Sequence, residues 1–516
     1  MGWEPELEEL RRREALAEQL GGEDKVERQH HFGKQTIRER LDAVVDKGSF
    51  WELGKTAGVA SYDDDGNLVD FMPSNFVFGL AELDGRPAVV SGDDFTVRGG
   101  SNDASISGKR TASESIATEM RLPHLRLLDG MSGGGSVKTI EMAGRTYIPE
   151  LAGWETVIDH LDVAPSVSLV LGSVAGMGAA RATTCHYSVM VRDTSQMMIA
   201  GPALVEQAGL GSVAKEELGH ADIHTRNGAI DDVVDTEQEA FDRALQFLSY
   251  LPTSVDELPP IEDWGDDPGR REEWLIDVVP RAPRQAYDMR AIIGAVVDRD
   301  SFFEIGAQWG TSIIGGLARL DGVPVAVYAE DPMIYGGGWT ADACRKLIRL
   351  VDVASLFQLP VVHLEDCPGF LIGKTSEQES TIRYGSMALV ALRQARVPYC
   401  TVVVRKAFGV AGASNKKPGA NSMRVAWPSG DWGSLPIEGG LEVAYKAELA
   451  DADDPEALKA EITERLNRVR SPHRSAEFYE IEQIVDPRDT RPMLCDWVRL
   501  ARRTLTAGPT QWGFRP

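Results

Sequence analysis

Apolar and polar positions alternate along the chain in a pattern that predicts strands and helices in turn. Short apolar runs that predict strands lie at 165–174, 197–205, 359–365 and 397–404. Helical periodicity marks residues 101–128 and 340–357. Because strands alternate with helices, the pattern predicts an α/β fold in which helices cover the sheets.

The pattern also occurs twice. VVDKGSFWELG at 44–54 and VVDRDSFFEIG at 296–306 are identical at seven of eleven positions. A second pair of blocks follows in the same order, GLAELDGRPAVV at 79–90 and GLARLDGVPVAV at 316–327. In both copies an Asp-Gly pair separates two β-rich segments, which predicts a hairpin. The second pair of blocks is separated by less chain than the first, so the first copy carries extra residues. We therefore expect one duplicated unit.

A linker between the two copies is predicted at residues 251–272. This segment is rich in Pro and Asp and lacks helical periodicity. We therefore expect two domains, at 1–258 and 259–510. A length of 516 residues fits two cores better than one.

The composition is typical of a soluble globular protein, with 43% hydrophobic and 26% charged residues. No run of eighteen apolar residues predicts a membrane span. The net charge of −25 argues against nucleic-acid binding, because phosphates would be repelled over most of the surface. A polyanionic ligand would need a local concentration of Lys and Arg. Five scattered cysteines are typical of reduced thiols in the cytoplasm.

Two Gly/Ala-rich elbows are the best candidates for chemistry, at 169–182 and 402–415. Each follows an apolar strand and precedes a helix-compatible segment. Aligning the residues from Ala175 with those from Gly409 gives a separation close to that of the repeated blocks, consistent with the duplication. Peptide N–H groups at such a turn can stabilise an oxygen anion. The pair therefore predicts two oxyanion holes, whereas either elbow alone fits close packing of a strand against a helix equally well.

Other patterns carry weaker predictions. The stretch at 127–141 contains three consecutive glycines, and 363–377 holds a comparable place in the second copy. The second stretch resembles a phosphate-binding P-loop, but it has one residue too few between its glycines. The metal-like spacing of His220 and His224 lacks a partner motif, so we expect structural roles for both. No GxSxG nucleophile motif occurs.

Nine motifs, in order, carry a resemblance to a known family. They are HFGKQTIRERLD (31–42), DDFTVRGGS (93–101), SGGG (132–135), VAGMGAA (174–180), TSQMMIAGP (194–202), EELGHADIHTRNGAID (216–231), DCPGFLIG (366–373), RKAFGVAGA (405–413) and AWPSGDWGS (426–434). By these motifs, residues from about 20 to 510 resemble the carboxyltransferase (β) subunit of biotin-dependent acyl-CoA carboxylases, of the propionyl-CoA carboxylase β type. The resemblance implies two tandem crotonase-like (ClpP/crotonase) domains.

The resemblance also implies a mechanism. Carboxybiotin breaks down to CO2 and a ureido anion, the anion removes the α-proton (or a vinylogous γ-proton) of an acyl-CoA, and the thioester enolate attacks CO2. By family position, the N–H groups of Gly176 and Met177 would hold the enolate oxygen, and those of Val410 and Ala411 the ureido oxygen. No side-chain base is required.

Ligand-binding residues follow in the same way. CoA is expected on the N-terminal half and biotin on the C-terminal half, with no metal bound by this chain. The residues expected to contact these ligands are Gly133, Gly134, Gly135, Arg98, Lys109, Gly409, Gly412 and Ala413, with Arg110 as a further cation. For the three cations, solvated charge on a helix face is an equal alternative.

The chain departs from the family pattern in places that bear on specificity. Ser136 stands where Arg is usual, and Met177 and Val410 stand where Gly is usual. Any residue except proline keeps its backbone donor. In the family, the position of Ala413 helps to set acyl-chain size, so the small residues Gly412 and Ala413 leave room for a larger acyl group than acetyl or propionyl.

Partners are likewise implied by the resemblance. The chain lacks a Met-Lys-Met biotin-attachment motif and an ATP-grasp region, so a separate biotin carboxylase and biotin carrier (α) subunit is expected. The family forms a homohexamer, a dimer of trimers, and works in the cytoplasm. Two alternatives remain: a biotin-dependent decarboxylase of malonyl-CoA-type thioesters, and a non-catalytic paralogous subunit of a mixed complex. The acyl group itself is not set by the sequence.

Overall fold

The computed structural model describes residues 2–101, 106–130, 140–141, 144–146, 148, 151, 153–415 and 422–516. The chain divides into two compact units, Met1–Glu257 with Pro516, and Leu258–Arg515. This division falls one residue from the predicted domain boundary. Each unit is built around its own sheet.

The first unit contains a seven-stranded sheet in the order β1-β4-β5-β6-β7-β9-β11. Its strands are β1 (Trp51–Glu52), β2 (Gly58–Tyr62), β3 (Leu68–Pro73), β4 (Phe76–Leu83), β5 (Arg86–Asp93), β6 (His124–Leu128), β7 (Ser166–Val170), β8 (Ser173–Ala175), β9 (Tyr187–Val191), β10 (Gln196–Met198) and β11 (Asp232–Val234). Its helices are α1 (Glu4–Glu18), α2 (Glu23–His31), α3 (Ile37–Val44), α4 (Ser107–Glu119), α5 (Trp154–His160), α6 (Met177–Thr183), α7 (Pro202–Gln207), α8 (Lys215–Gly219), α9 (Ala221–Asn227) and α10 (Glu237–Ser249).

The second unit contains an eight-stranded sheet in the order β12-β13-β14-β15-β16-β17-β19, with β18 paired to β16. Its strands are β12 (Phe303–Glu304), β13 (Ile313–Leu320), β14 (Val323–Glu330), β15 (Val361–Cys367), β16 (Tyr399–Phe408), β17 (Ser422–Ala426), β18 (Asp431–Gly433) and β19 (Gln483–Ile484). Its helices are α11 (Met289–Val296), α12 (Ala341–Leu356), α13 (Lys374–Gln378), α14 (Thr381–Gln394), α15 (Gly409–Gly412), α16 (Ile437–Ala444), α17 (Lys446–Asp451), α18 (Pro455–Asn467), α19 (Pro472–Glu477) and α20 (Thr490–Arg502).

The predicted duplication is confirmed by the hairpins β4–β5 and β13–β14. Both turns are Asp-Gly pairs with positive φ, 50° and 73° in the first unit and 51° and 76° in the second. In each, an aspartate that follows the preceding helix accepts from both turn N–H groups: Asp46 at 3.1 and 2.7 Å, and Asp298 at 3.0 and 2.8 Å. Sequence and hydrogen bonding therefore repeat together.

Strand register corrects the predicted alignment of the two elbows by one position. Val170 of β7 pairs with Leu128, and Val403 of β16 pairs with Glu365, which holds the same place in its sheet. Gly176, and not Ala175, therefore corresponds to Gly409. Both glycines have positive φ, 58° and 64°, which supports this match.

Three predicted elements differ from the structure. The strand predicted at 165–174 is divided into β7 and β8, which belong to different sheets. Proline explains the other two differences. The strand predicted at 197–205 is only β10, because Pro202 opens helix α7 at its first position. The helix predicted at 101–128 is α4 alone, and the chain then forms strand β6. Pro123 lies between the two elements and disfavours helical geometry at the residue before it.

Many of the most completely buried residues lie in the central strands of the sheets. In β13, β14 and β15 every residue is buried, as expected of strands covered on both faces. All five cysteines are buried, and burial raises the pKa of the Cys344 thiol to about 12. Among the described residues, no helix is long and apolar enough to cross a membrane.

Candidate active site

The first elbow joins strand β8 to helix α6 through Gly176. Its φ of 58° and ψ of −118° suit a residue without a side chain. The Gly176 N–H donates to the Met198 carbonyl at 3.2 Å, which differs from the expectation that this group is available to a ligand. Met177 opens the helix, where an N–H group has no intrahelical acceptor. Of the two predicted donors, Met177 is therefore the one without an acceptor in its helix.

Strand β10, which occupies the Gly176 donor, is itself held by a predicted structural histidine. The His224 ring Nε2 lies 2.6 Å from the Met197 carbonyl oxygen. His220 caps helix α9, because its ring Nδ1 accepts from the Asp222 N–H at 3.2 Å. Both histidines therefore serve the local fold beside the elbow.

The second elbow follows β16. Gly409 begins the one-turn helix α15, and the N–H groups of Val410 and Ala411 lie in that first turn, where acceptors are missing. The Val410 side chain is 60% exposed, whereas Ala411 is buried. This exposure leaves the turn open to a ligand.

Two further residues of this elbow have different surroundings. A Cβ added to Gly412 would lie 2.6 Å from the Ala407 carbonyl carbon. The strand and helix therefore pack too closely there for a side chain, which is the structural alternative the sequence offered. Ala413 is exposed at the end of the helix.

A cavity of about 1220 Å³ lies in the second unit, at the carboxyl ends of β15, β16 and β17. Ligands bind at this edge in parallel α/β sheets. The cavity reaches Phe408, the residue before Gly409. Its lining includes the charged and aromatic residues Arg281, Arg284, Tyr335, Arg405, Lys406, Phe408, Asp431, Glu438 and Arg470.

Two of the cavity's cations neutralise one buried carboxylate. Arg405 lies 3.0 Å from Asp366 and also donates to the Gln285 carbonyl at 2.8 Å. The Lys406 amine lies 3.4 Å from the same carboxylate and donates to the Gly336 carbonyl at 3.1 Å. These cations are committed to the fold.

Arg470 is committed in the same way. It pairs with Asp431 and lies 2.7 Å from Glu438. Burial opposes ionisation of Glu438, but the hydrogen bond from Arg470 together with the positive charges of Arg470 and Arg284 lowers the carboxyl pKa. The carboxylate therefore stays charged beside its guanidinium partner.

Arg98, a predicted CoA contact, has a clear counterpart in the second unit. It begins a 3₁₀ turn, Arg98–Gly100, that matches Tyr335–Gly337, and both first residues have a φ of 51°. Tyr335 lines the cavity of the second unit. Arg98 thus holds the place in the first unit that corresponds to a residue lining the cavity of the second unit. The predicted contacts Gly133, Gly134 and Gly135 lie outside the described residues.

Lys109, the other predicted CoA contact, is buried. Its amine lies 3.8 Å from Glu52, and burial lowers its pKa to about 8. Its counterpart, by the alignment of the two hairpins, is Lys346, which is also buried and donates to the Gly306 and Ile313 carbonyls at 2.9 and 2.7 Å. The structure thus places Lys109 where the other unit has an internal brace. Arg110 pairs with Asp93 at 3.0 Å.

Sequence reasoning missed two arginines that line the cavity of the second unit. Arg281 and Arg284 lie in the stretch PRAPR, between the linker and helix α11. Two cations in a Pro-rich segment of an acidic chain were an available signal. Nothing in the pattern alone, however, shows which surface such a segment faces.

Comparison with known proteins places this chain in one family. The carboxyl transferase domain family matches residues 28–510. The carboxyltransferase subunit of propionyl-CoA carboxylase from Haloferax mediterranei is 32% identical over 99% of this chain and 98% of its own. The methylmalonyl-CoA decarboxylase subunit alpha of Veillonella parvula is 29% identical over 99% of this chain and 98% of its own.

A solved structure agrees. The transcarboxylase 12S crystal structure, a hexamer with methylmalonyl-coenzyme A and methylmalonic acid bound, is similar with a TM-score of 0.88 and 28% identity, over 100% of this chain and 99% of that one. The chain belongs to the carboxyl transferase domain family. It is a carboxyltransferase of the biotin-dependent acyl-CoA carboxylase type, and the prediction of two crotonase-like α/β domains is confirmed.

Proposed function

We propose that the two halves divide the reaction between them, with the acyl-CoA on the N-terminal half and biotin on the C-terminal half. The observation that carries this is the repeated elbow: Gly176 and Gly409 hold the same place and both have positive φ. Each elbow starts a helix whose first N–H groups lack acceptors within the helix. Two such sites suit a reaction in which two carbonyl oxygens gain negative charge.

The residues of the second half fit biotin. Val410 and Ala411 present backbone donors at an exposed turn, and the cavity beside them has room for a bicyclic ring. Bound biotin supplies the carboxyl group and, after losing it, a ureido nitrogen that accepts a proton. The Val410 and Ala411 N–H groups stabilise the ureido oxygen.

In the first half, the thioester oxygen becomes negative when the α-proton leaves. The Met177 N–H donates to that oxygen, and Gly176 supplies the backbone turn that aims it. We assign Arg98 a contact with the CoA, because it corresponds to Tyr335, which lines the cavity of the second unit. We assign Lys109 a secondary place, because its amine is turned inward beside Glu52.

We propose carboxylation of an acyl-CoA as the direction of the reaction, because the Haloferax relative is named a propionyl-CoA carboxylase subunit. We propose an acyl group larger than propionyl, because the small Ala413 holds the position that, by the family resemblance, helps to set acyl-chain size. Decarboxylation is the second candidate, favoured by similarity to the Veillonella methylmalonyl-CoA decarboxylase subunit over 99% of the chain.

We further propose a separate partner that carries biotin and carboxylates it, a homohexamer built as a dimer of trimers, and work in the cytoplasm. The hexameric assembly of transcarboxylase 12S supports the oligomer. The motifs that would attach and carboxylate biotin do not occur in this sequence.

Proline substitutions test the elbows, because proline removes one N–H yet is tolerated in the first turn of a helix. We expect Met177→Pro and Val410→Pro each to lower kcat for propionyl-CoA carboxylation by about 10²–10³. Met177→Ala and Val410→Ala keep the N–H groups and should stay within a few fold. Rates would be measured with a panel of acyl-CoAs and a reconstituted biotin-bearing partner.

The controls decide the outcome. If the alanine variants lose as much as the proline variants, the side chains act and the oxyanion-hole assignment fails. If the wild-type protein binds acyl-CoA but turns over none of the panel in either direction, the non-catalytic alternative replaces the proposal.

A further inference from the structure

A strap, defined as residues 275–287, forms one wall of the cavity in the second unit. Its first residue, Leu275, is buried in the core. At its other end the Tyr287 hydroxyl donates to Asp366 at 2.9 Å, and the Gln285 carbonyl accepts from Arg405. The strap is therefore fixed at both ends, at the carboxyl edge of the sheet.

Between these anchors the strap makes a tight turn. The Gln285 N–H donates to the Ala282 carbonyl at 3.1 Å, with Pro283 in the second position of the turn, where its fixed φ is favourable. Arg281 precedes this turn and Arg284 is its third residue. Both side chains line the cavity, and both residues are exposed.

Neither arginine has a hydrogen-bond or ion-pair partner among the described residues. The cavity's other cations are neutralised by Asp366, Asp431 and Glu438. Glu438 also feels the charge of Arg284, but its hydrogen bond goes to Arg470. The cavity thus keeps two guanidinium groups that form no ion pair among the described residues, in a chain whose net charge is −25.

We propose that Arg281 and Arg284 form an anion subsite in this cavity, for a carboxylate or phosphate group of a small-molecule ligand. Guanidinium groups suit both oxyanions, because their planar donors match two oxygens at once. The group they hold is remote from the reacting carboxyl. Stabilising a carboxylate that must leave as CO2 would favour the ground state and slow the reaction. The subsite rests on the proposed function only in that its ligand enters the biotin-side cavity.

Direct binding tests the subsite without catalysis. The intact protein would be titrated calorimetrically, at low ionic strength, with inorganic phosphate and separately with glutarate. We expect binding of at least one probe by the wild type. The double variant Arg281→Gln/Arg284→Gln should bind at least about tenfold more weakly. Binding of phosphate alone indicates a phosphate-bearing ligand, and binding of glutarate alone a carboxylate-bearing one.

The matched control is Arg396→Gln, which removes an exposed arginine just before strand β16, at the opposite end from the cavity. It should bind as the wild type does. The subsite is overturned if the wild type binds neither probe, or if the double variant binds as tightly as the wild type. Thermal unfolding of the double variant should match the wild type, since both side chains are exposed.

Failure of the subsite and failure of the proposed function can be told apart. Val410→Pro should keep the probe affinity while losing turnover. If it keeps both, the oxyanion assignment fails and the subsite stands. If it loses turnover while the double variant still binds the probes as wild type does, the subsite fails and the proposed function stands.

Discussion

The two halves keep the same aspartate at the end of the same strand but balance its charge from different places. Asp129 follows β6, and Asp366 occupies the corresponding position near the end of β15; both are fully buried. Asp129 is paired by Lys34 and Arg40, each at 2.9 Å, from residues flanking helix α3 and within it. Asp366 is paired by Arg405, which comes from the adjacent strand.

Glycine explains why the partners cannot be exchanged. The residue that corresponds to Arg405 in the first half is Gly172, and a Cβ there would lie 1.7 Å from the Asp129 carboxylate. The first half therefore has no space for a strand-borne cation. The second half, with its cation on the strand, leaves its strap free to present other residues to the cavity. The duplicated framework thus tolerates different uses of the same edge.

The largest expected effect is loss of the first carboxylate. Burial opposes ionisation of Asp129, but Arg40 and Lys34 outweigh it and lower the carboxyl pKa. We expect Asp129→Asn to destabilise the protein by about 3–5 kcal/mol, because the buried Lys34 loses its carboxylate partner, whereas Arg40 keeps Glu237. Asp366→Asn should cost about half as much, since its cations reach the cavity. Urea unfolding midpoints would measure both.

The exposed Asp64→Asn is the control for this pair and should leave the midpoint unchanged. Equal losses for Asp129→Asn and Asp366→Asn would show that the origin of the cation does not matter.

The second comparison concerns the two lysines that hold corresponding positions, Lys109 and Lys346. Burial lowers the pKa of Lys109 to about 8 from 10.5, so below pH 8 the folded state holds a charged, buried amine. Between these values the unfolded chain binds the proton and the folded one does not. Stability from this group therefore rises with pH across that window. We expect Lys109→Met to stabilise the protein by about 3 kcal/mol at pH 7, with the gain vanishing by pH 10.

Lys346→Met should behave in the opposite way, losing about 2 kcal/mol at pH 7, because two buried carbonyls lose their donor. Urea unfolding at pH 7, 8.5 and 10 would give both trends. If both variants changed the free energy of unfolding in the same direction, the two lysines would have the same structural role.

The smallest expected effect separates the two hairpin glycines, which have nearly the same φ. A Cβ on Gly85 meets nothing within 4 Å, whereas one on Gly322 would lie 1.8 Å from the Glu262 carbonyl oxygen. We expect Gly85→Ala to cost about 1 kcal/mol from backbone strain alone. Gly322→Ala should cost about 2–3 kcal/mol, because the linker must also move. Thermal unfolding of the two variants, side by side, is the measurement, and equal losses would refute the linker contact.

Local signals made much of the fold predictable. The Asp-Gly pairs identified both hairpins, because that dipeptide suits two successive positive φ angles. Helix α12 matched its periodicity closely, with bounds one residue inside the predicted run at each end. Strand β6 was missed because its sequence, HLRLL, contains both a histidine and an arginine, and both are buried through long-range pairing with Glu114. No local pattern reports such a partner.

The site was predictable where chemistry depends on the backbone and not where it depends on side-chain direction. Gly176 and Gly409 stood out because small residues after a strand mark a turn. Lys109 is predicted as a ligand contact from its charge, whereas its burial, like that of the aligned Lys346, becomes visible only in the structure. The strand register, which determined how the two elbows align, depends on pairing between strands and cannot be read from the sequence of one strand.

The contacts of the linker show where the folding unit of the second half begins. Helix α11, the first repeated element, starts at Met289, yet Arg319 holds the Pro260 carbonyl at 3.3 Å, and Glu262 donates to Gly322 at 3.2 Å. The linker therefore braces the hairpin β13–β14. A fragment of the second half that starts at Met289 would lose these contacts, so this folding unit begins before the visible repeat.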